Sequence, residues 1–405
     1  MNILLVSSYL PFPLFSGGHI RLYNLIKELS KKHKITLICE KRDYQTEKDV
    51  AEVKKFCKKV ITVPRKKQWS IRNILKTGLS FSSFLVTGHK SPEMQKEIKK
   101  ELSESQFDLI HVETSYVMQN IPSTNIPLVL VEHNVEHLVY KRFADSAPLF
   151  LRPLLYLDIL KLKYWEEKMW KKVAKLIAVS EGEKEIMQKI RKDVIVVSNG
   201  VDVAKFKVQS SRQRRGSPQA AKFKVKGGEK RILFIGEFKW VQNRDAIEWI
   251  IKEIWPKLIH EKGIELWVVG RNIPASIRKL SSDKNIIFDD HAPKETEEIF
   301  KKSDLLLAPI RVGGGTSFKI LEALSCGVPV VTTALGNAIN AKEDAEILIA
   351  KDSEEFVQKI RELLVNKKLY ETISKNGRLL VEKKFNWEKI SLDLNSVYEE
   401  VASYA

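Results

Sequence analysis

The sequence predicts an α/β protein with two domains, each built on an open sheet of parallel strands. Short apolar runs alternate with stretches of helical periodicity along the whole chain, a pattern that is typical of βαβ units. A second series of such runs begins after a basic, polar stretch, and 405 residues are more than one compact core usually holds. Open α/β sheets bind ligands at the carboxyl ends of their strands. We therefore expect the two domains to face a central ligand-binding cleft.

The strand candidates are short apolar runs bounded by polar residues. In the first half of the chain they lie at 3–7, 35–39, 60–63, 109–112, 128–131 and 176–179. In the second half they lie at 232–235, 266–269, 286–288, 305–308 and 328–332. Leu22, Leu25, Ile26 and Leu29 recur at helical spacing after the first run and predict a helix there. A last helix is expected at 387–401, and the domain boundary falls near 201–230.

Composition indicates a folded protein in a reducing compartment. Hydrophobic residues make up 43% of the chain and charged residues 30%, which is ordinary for a globular domain. Cys39, Cys57 and Cys326 form no CxxC pair and leave an odd thiol, so a cytoplasmic location fits best. No stretch approaches the roughly 20 apolar residues that span a bilayer, so we expect a soluble or peripheral protein.

The net charge of +18 is concentrated in one segment. Residues 205–231 hold ten Lys or Arg and one acidic residue, Glu229, among Gly, Ser and Gln with little periodicity. The segment reads either as a solvated connector or as a stretch attracted to an anionic membrane surface. A protein that reads nucleic acid would instead interleave its charge with aromatic residues on a folded face. We therefore expect no nucleic-acid partner.

The strongest motif is the segment 308–331, APIRVGGGTSFKILEALSCGVPVV. It reads as a strand end, a triple-glycine turn, a helix at 317–325 and another strand. The residues that we expect to bind a nucleotide diphosphate here are Arg311, Gly313, Gly314, Gly315, Thr316, Ser317, Phe318, Lys319 and Glu322. The glycines let the backbone approach an anion, the Thr-Ser pair offers N-caps, and the first helical turn offers unpaired amides. The two basic residues add charge, and the glutamate can accept both hydroxyls of a ribose. The alternative is a tight turn before a solvated helix face.

This segment resembles the donor-binding signature of retaining glycosyltransferases of the two-Rossmann-domain (GT-B) type, family 4 in particular. That signature has two glutamates separated by seven residues. The second matches Glu322, whereas Gly314 stands at the position of the first. The resemblance implies that Glu322 binds the nucleotide ribose, and the departure at Gly314 leaves the contact with the donor sugar unassigned.

Two strings in the first half support the resemblance. SYLPFPLFSGGHIRLYNLIKEL looks like the glycine loop after the first strand of the family, which implies that Gly17 and Gly18 lie beside the donor phosphates and sugar. LVLVEHNVEH ends a strand, and the resemblance puts His133 near the donor sugar. A histidine at a strand end can exchange a proton with a hydroxyl near neutral pH, although taken alone such a histidine is more often a loop residue with its hydrogen bonds satisfied. His137 is read as structural.

The first strand of the second domain carries a further match. RILFIGEFKWVQNRDAIEWIIKEIWPKL resembles the strand, glycine and helix that open the nucleotide domain of the family. The resemblance implies that Gly236 turns the chain and that Lys239 or Arg244 meets the diphosphate. Asn243 is expected to cap the helix or to touch phosphate. In the family, a glycine after a strand lets backbone groups contact the nucleotide base. NIIFDDHAPK, at 285–294, departs from that pattern, so the sequence does not predict which base is bound.

Two strings place the domain boundaries. VVSNGVD, at 196–202, resembles the entry to the interdomain linker of the family, and FNWEKISLDLNSVYEEV resembles its last helix, which crosses back to the first domain. We expect an acceptor-side domain at 1–203 together with 386–405, a linker at 204–229 and a donor-binding domain at 230–385. The helix at 161–175 is either interfacial or, as we favour, packed on the first sheet.

The implied activity is transfer of a hexosyl unit from a nucleoside diphosphate sugar to a hydroxyl of a glycan or lipid-linked acceptor, with retention. No cofactor or metal is expected, since the sequence shows no His/Cys ligand cluster, and no GxSxG or GK[ST] motif points to another chemistry. Two alternatives stay open. One is a nucleotide-sugar epimerase of the same fold, and the other is a non-catalytic subunit that binds a nucleotide sugar or polysaccharide.

Overall fold

The computed structural model describes residues 1–206, 230–291, 296–312 and 317–403, apart from the side chain of Ser146. The chain divides into two compact units. Unit 1 comprises residues 1–199 and 387–405, and unit 2 comprises residues 200–386. Each unit has its own parallel sheet with helices on its faces.

The sheet of unit 1 has seven parallel strands in the order β3-β2-β1-β4-β5-β6-β7. They are β1 (Asn2–Ser7), β2 (Lys34–Lys41), β3 (Lys59–Pro64), β4 (Leu109–Glu113), β5 (Leu128–Glu132), β6 (Lys175–Ala178) and β7 (Val194–Val196). The first six confirm the predicted strands. The sequence analysis did not predict β7, which is only three residues long and lies at the sheet edge. The central strands are buried on both faces, which accounts for their continuous apolar runs.

Eight helices of unit 1 connect these strands. They are α1 (Gly17–Leu29), α2 (Glu47–Lys54), α3 (Ile71–Gly78), α4 (Phe84–Gly88), α5 (Pro92–Glu104), α6 (Glu136–Ser146), α7 (Arg152–Lys172) and α8 (Glu181–Met187). The predicted apolar stripe of α1, from Leu22 to Leu29, is buried. In α7, Leu162 and Met169 are buried, which confirms that this part of the helix packs in unit 1 rather than lying exposed.

The described residues of unit 2 form six strands in the order β10-β9-β8-β11-β12-β13. They are β8 (Lys230–Ile235), β9 (Ile264–Val269), β10 (Ile286–Asp289), β11 (Leu305–Ala308), β12 (Val330–Thr332) and β13 (Leu348–Ile349). Five of them confirm predicted strands, while β13, a two-residue strand, was missed. Counted from the first strand of each unit, the sheet of unit 2 follows the order 3-2-1-4-5-6 of a Rossmann-like sheet, and the sheet of unit 1 follows the same order with a seventh strand at its edge. The predicted α/β class with two Rossmann-like domains is therefore confirmed.

The helices of unit 2 precede one last helix that returns to unit 1. They are α9 (Val241–Trp249), α10 (Ala275–Arg278), α11 (Thr296–Lys301), α12 (Phe318–Ser325), α13 (Ser353–Val365) and α14 (Lys367–Lys384). The last helix, α15 (Trp387–Ser403), belongs to unit 1. There Asn395 bonds His33 at 2.7 Å, and Glu400 pairs with Lys175 at 2.6 Å. The expected crossing back of the last helix is confirmed.

The two points where the chain passes between the units lie side by side in unit 2. The amide of Val201 donates to the carbonyl of Phe385 at 2.7 Å, and Val201 also forms a bridge with Asn386. The first domain was expected to comprise 1–203 and 386–405 and the linker to begin at 204, but residues 200–206 and 386 belong to unit 2. The Phe206 ring packs against Phe300 in the core of that unit. The remainder of the predicted linker, 207–229, lies outside the described residues. In the described part of the chain, none of the helices has an apolar stretch of bilayer-spanning length.

Candidate functional site

Sequence-predicted residues gather at the carboxyl edge of the sheet in unit 1. Strands β1, β4 and β5 are neighbours there; Glu113 is the last residue of β4, and the chain that follows β1 and β5 carries Gly17, Gly18 and His133. Because parallel strands end at the same edge, residues far apart in sequence become adjacent. The structure thus brings His133 beside the last residue of β4, a glutamate that the sequence analysis did not single out.

Glu113 holds His133 by its side chain. The Glu113 carboxylate is completely buried; its Oε2 atom bonds Nε2 of His133, and its Oε1 atom bonds Nε2 of His111 at 2.8 Å. An ionised carboxylate only accepts, so both imidazoles present an N–H to it. His133 therefore keeps Nδ1 for another partner, and its side chain is partly exposed, at 16%. A histidine fixed in one tautomer by a carboxylate is poised for proton exchange at its other nitrogen.

The hydrogen-bonded chain continues to the last helix. With Nε2 of His111 donating to Glu113, Nδ1 accepts from the hydroxyl of Tyr398 on α15 at 2.5 Å. Tyr398 and His111 are both buried. The chain of contacts Tyr398–His111–Glu113–His133 thus links the helix that crosses back from unit 2 to the predicted catalytic histidine. Residues 111 and 398 are distant in sequence, so no local motif could have revealed the link.

Burial and charge oppose one another at Glu113. Burial by itself would raise the pKa of this carboxyl, but His133 and His111 hold the pKa well below its ordinary value. The buried guanidinium of Arg21, on α1, adds a positive charge near Glu113. Burial lowers the pKa of Arg21, and Glu113 opposes that shift. The carboxylate is thus ionised, as an orienting partner of a histidine must be.

Unpaired polar atoms surround the predicted glycine loop. Arg21 donates to the carbonyl of Ser198 at 2.7 Å, yet its Nε and Nη2 atoms are buried and have no hydrogen-bond partner among the described residues. The buried hydroxyl of Tyr9 is likewise without a described hydrogen-bond partner. A Cβ atom on Gly18 would lie 3.0 Å from that hydroxyl, so a side chain would crowd Tyr9. Gly17 is the first residue of α1. Donors left unpaired at a strand-end loop suit a polar ligand.

His137 has the structural role that the sequence suggested. Its Nδ1 atom bonds the carboxyl of Glu166 at 2.7 Å, and the same carboxyl accepts from the backbone amides of Glu136 and His137 at 2.8 and 3.0 Å. Burial raises the pKa of Glu166 to about 8 and lowers that of His137 to about 4. Glu166, on α7, therefore holds the first residues of α6, which directly follow the loop that carries His133.

In unit 2, predicted donor-binding residues from three segments meet. Nζ of Lys319 on α12 donates to Oδ1 of Asn243 on α9 at 2.8 Å, and Nδ2 of Asn243 donates to the carbonyl of Glu237 at 2.9 Å. A Cβ atom on Gly236 would lie 2.7 Å from Cγ of Asn243, so a side chain at position 236 would displace this amide. Asn243 was expected to cap its helix or to touch phosphate. It does not cap the helix, because it lies inside α9 and Trp240 occupies the cap position.

The two basic residues after β8 differ in their contacts: Arg244 is hydrogen-bonded within the loop, and Lys239 is exposed. Nη1 of Arg244 donates to the carbonyls of Phe238 and Lys239 at 2.9 and 3.0 Å, which fixes the loop between β8 and α9. The Lys239 side chain is exposed at the same loop. The structure therefore gives Arg244 a positioning contact within the loop and leaves Lys239 accessible.

Arg311 has an acidic partner that the sequence analysis did not foresee. Its guanidinium donates to Asp245 with two bonds, of 3.1 and 2.9 Å, and lies 4.4 Å from the centre of the Trp249 ring. Trp249 and Trp255 are both buried, as their assignment to the core predicted. The two bonds and the ring hold the fork of Arg311 in one orientation at the edge of α9.

Glu322 and Lys319 lie one turn apart on α12, and burial shifts both pKa values toward neutrality. Burial raises the pKa of Glu322 to about 7, a shift that Glu297 adds to and Lys205 and Lys319 oppose. Burial lowers the pKa of Lys319 to about 8, against the opposing charge of Glu322. Perturbed values of this kind at the carboxyl edge of an α/β sheet are typical of binding sites.

The predicted glycine turn and the start of α12 complete the set of predicted residues in unit 2. Gly313, Gly314, Gly315 and Thr316 lie outside the described residues. Ser317 occupies the N-cap position of α12, but its side chain makes no cap hydrogen bond, contrary to expectation, and α12 begins at Phe318. Within the four described ranges, no group of three His, Cys, Asp or Glu side chains is placed to hold a metal ion.

Comparison with known proteins decides the family. Residues 15–205 match the family described as Glycosyltransferase Family 4, and residues 229–366 match the family described as Glycosyl transferases group 1. The chain belongs to the group 1 glycosyltransferases. The resemblance seen in the motifs is therefore confirmed over most of the sequence. A relative of this glycosyltransferase is the phosphatidyl-myo-inositol mannosyltransferase of Mycobacterium leprae, 24% identical over 77% of this chain and 79% of the relative.

Solved structures share the fold of this glycosyltransferase. The sucrose-phosphate synthase of Thermosynechococcus elongatus superimposes with a TM-score of 0.74 at 17% identity and covers 100% of both chains. Anabaena HepE in complex with UDP-glucose gives a TM-score of 0.66 at 14% identity over 99% of this chain and 100% of HepE. These similarities establish the GT-B fold that the motifs implied.

Proposed function

We propose that this glycosyltransferase moves a hexosyl unit from a nucleoside diphosphate sugar to a hydroxyl group, with retention at the anomeric carbon. The observation that carries the proposal is the half-buried pair of Lys319 and Glu322 on consecutive turns of α12, next to Asn243. A cation and a carboxylate spaced in this way can bind a diphosphate and a ribose together. Retention is proposed because the segment resembles retaining members of family 4.

The donor side supplies charge stabilisation in this proposal. As the glycosidic bond breaks, negative charge develops on the departing diphosphate. Lys319, Lys239 and the fixed guanidinium of Arg311 supply positive charge around the start of α12, and the amides of the first turn can add to it. Interactions that strengthen as charge develops lower the barrier to transfer. We propose that these protein groups stabilise the departing diphosphate without a metal ion.

The acceptor side centres on His133. The proposed catalytic role of this histidine is to hold or receive a proton at Nδ1, while Nε2 stays bonded to Glu113. Glu113, His111 and Tyr398 are proposed as positioning residues, since they reach the reacting groups only through His133. The buried, unpaired donors of Arg21 and Tyr9 at the glycine loop support binding of a polar ligand on this side.

The acceptor is proposed to be a hydroxyl of a glycan or of a lipid-linked molecule. A relative named for mannosyl transfer to phosphatidyl-myo-inositol supports the lipid-linked class. The UDP-glucose complex of a structural neighbour supports a nucleoside diphosphate sugar as donor. Asp289 and Asp290 stand where the family usually has a glycine that helps to read the base. Asp289 accepts from Trp267, and Asp290 pairs with Arg278, so both are engaged within unit 2.

A panel of nucleotide sugars tests the donor. Thermal shifts with UDP-, GDP-, ADP- and dTDP-sugars should identify one base, and calorimetry with that donor should show weakened binding for Glu322→Ala. Glu354→Ala, on the exposed start of α13, is the matched control and should bind as the wild type does. Equal donor affinity in Glu322→Ala and the wild type would refute the assignment of the ribose contact.

Incubation of the protein with donor alone separates the other functions. An epimerase converts all of the sugar to its epimer mixture without an acceptor, whereas a transferase gives only slow hydrolysis. A binding subunit gives neither product. Hydrolysis that is abolished in His133→Ala and retained in the control variant Glu354→Ala supports the transferase.

A further inference from the structure

Helix α3 turns its apolar stripe toward solvent. Ile71, Ile74 and Leu75 follow helical spacing, yet their exposed fractions are 78%, 51% and 60%. None of the α3 residues is buried. A surface helix of a globular protein normally packs such a stripe against its core. The stripe of α3 is therefore available to something outside unit 1.

The residues on either side of α3 extend the stripe. Leu79 and Phe81 are 90% and 93% exposed, and Trp69 is 79% exposed although its ring lies 4.7 Å from that of Phe84. Side chains with so little cover protrude from the surface rather than line a groove. Large apolar side chains are thus exposed to solvent along the whole of segment 69–81.

The first half of α7 presents a second apolar stripe. Leu154, Leu157 and Leu160 are 67%, 53% and 63% exposed, and Phe150, just before the helix, is 81% exposed. The opposite side of the same helix is buried at Ile159, Leu162 and Met169. The exposed leucines thus lie in the part of α7 that is next to the α3 segment, and Tyr164, which is 66% exposed, continues their side of the helix.

Lys161 joins the two stripes. Its Nζ atom donates to the carbonyls of Thr77 and Ser80, at 2.8 and 2.7 Å, and lies one helical turn after Leu157. The amide of Phe84 also donates to the side chain of Asp158 at 2.8 Å. The end of α3 is therefore fixed to the exposed half of α7. We call the exposed apolar side chains of 69–81 and 150–160 the apolar face.

The apolar face has a basic surround. Residues 65–81 include five Lys or Arg and no acidic residue. Lys67, Arg72 and Lys76 form no ion pair with any described residue. Aliphatic and aromatic tips combined with unpaired basic residues are the composition of segments that lie in the interface of an anionic bilayer.

We propose that the apolar face docks unit 1 onto the surface of an anionic lipid bilayer. Its tips enter the boundary between headgroups and acyl chains, where burial of apolar surface is favourable, and its basic residues meet lipid phosphates. A second copy of the chain is a poorer occupant, because two like basic surfaces repel each other. The surface is distinct from the basic segment 205–231, and the proposal does not depend on the proposed function.

Flotation with vesicles tests the proposal on the full chain. The wild type should float with vesicles of phosphatidylcholine and phosphatidylglycerol, float little with phosphatidylcholine alone, and lose binding as salt is raised. Leu79→Ser combined with Phe81→Ser should lower the partition coefficient roughly tenfold or more, since two inserted side chains are lost. The double variant Leu335→Ser/Val365→Ser, at exposed apolar positions of unit 2, is the matched control and should bind like the wild type.

Trp69 provides a direct spectroscopic reporter. Its fluorescence should shift to shorter wavelength on addition of anionic vesicles, and Trp69→Phe should remove that shift while binding persists. Equal flotation of the wild type and Leu79→Ser/Phe81→Ser would overturn the proposal, because lipid would then bind elsewhere. The proposal would also fail if that variant dissociated a dimer in sedimentation velocity and the wild type did not bind vesicles.

Discussion

His133 is bonded through Nε2 to Oε2 of Glu113, a carboxylate at the end of the neighbouring strand that is completely buried. The bond spans two strands whose ends meet at one edge of the sheet. It fixes the ring of His133 and determines which nitrogen is free. The predicted catalytic histidine therefore depends on a residue that carries no motif.

Glu113→Gln should lower kcat by about a hundredfold or more and change the KM for the donor little. An amide presents a donor as well as an acceptor, so it no longer enforces the tautomer of His133, as in carboxylate–histidine pairs of hydrolases. Steady-state kinetics checks this. Glu101→Gln removes another buried carboxylate, one paired with Lys59, and should leave kcat near that of the wild type. A normal kcat for Glu113→Gln in a folded protein would show that His133 needs no orientation.

Tyr398→Phe should lower the free energy of unfolding by about 1–3 kcal/mol. The substitution keeps the ring but leaves Nδ1 of His111 buried without its donor, and an unsatisfied buried group has a cost of that order. Urea denaturation measures the effect. An unfolding free energy for Tyr398→Phe equal to that of the wild type would contradict the chain of bonds to α15.

Donor affinity should be highest between about pH 7 and 8. Glu322 accepts ribose hydroxyls only when ionised, and its pKa is raised to about 7, so affinity falls as pH decreases below 7. Lys319 attracts phosphate only when protonated, and its pKa is lowered to about 8, so affinity falls as pH rises above 8. Calorimetry with a nucleotide sugar measures both limbs. Glu322→Gln should flatten the acid limb alone, and a limb that persists in this variant would assign it to another group.

Arg311 and Asp245 should have opposite effects on donor binding. Arg311→Gln removes a charge for the diphosphate and should weaken binding about tenfold, in the range of a charge-assisted hydrogen bond. Asp245→Asn removes the carboxylate that competes for the guanidinium and should leave binding equal or stronger. Titration calorimetry of both variants checks this. If Asp245→Asn weakens binding as much as Arg311→Gln, the aspartate orients Arg311 instead of competing with phosphate.

The sequence predicted most of the secondary structure because the periodicity was local. Eleven apolar runs proposed as strands are strands, and the buried stripe of α1 follows its spacing. The missed strands, β7 and β13, have three and two residues and lie at sheet edges, where pairing with a neighbour defines them more than their own residues do. Motifs with glycines and charges near strand ends likewise located the loops of the candidate site.

The sequence alone predicted the resemblance to the family, the two parallel sheets, the loop that carries His133 and the helix that carries Lys319 and Glu322, because each is encoded in contiguous residues. Tertiary structure decided which side chains meet those residues. Glu113, Tyr398 and Asp245 became partners because sheet register and the return of α15 brought distant segments together. Likewise, helical spacing marks α3 as amphipathic, but only packing shows which side of it lacks a neighbour. Local patterns carry information on periodicity, whereas contacts between distant residues depend on the completed fold.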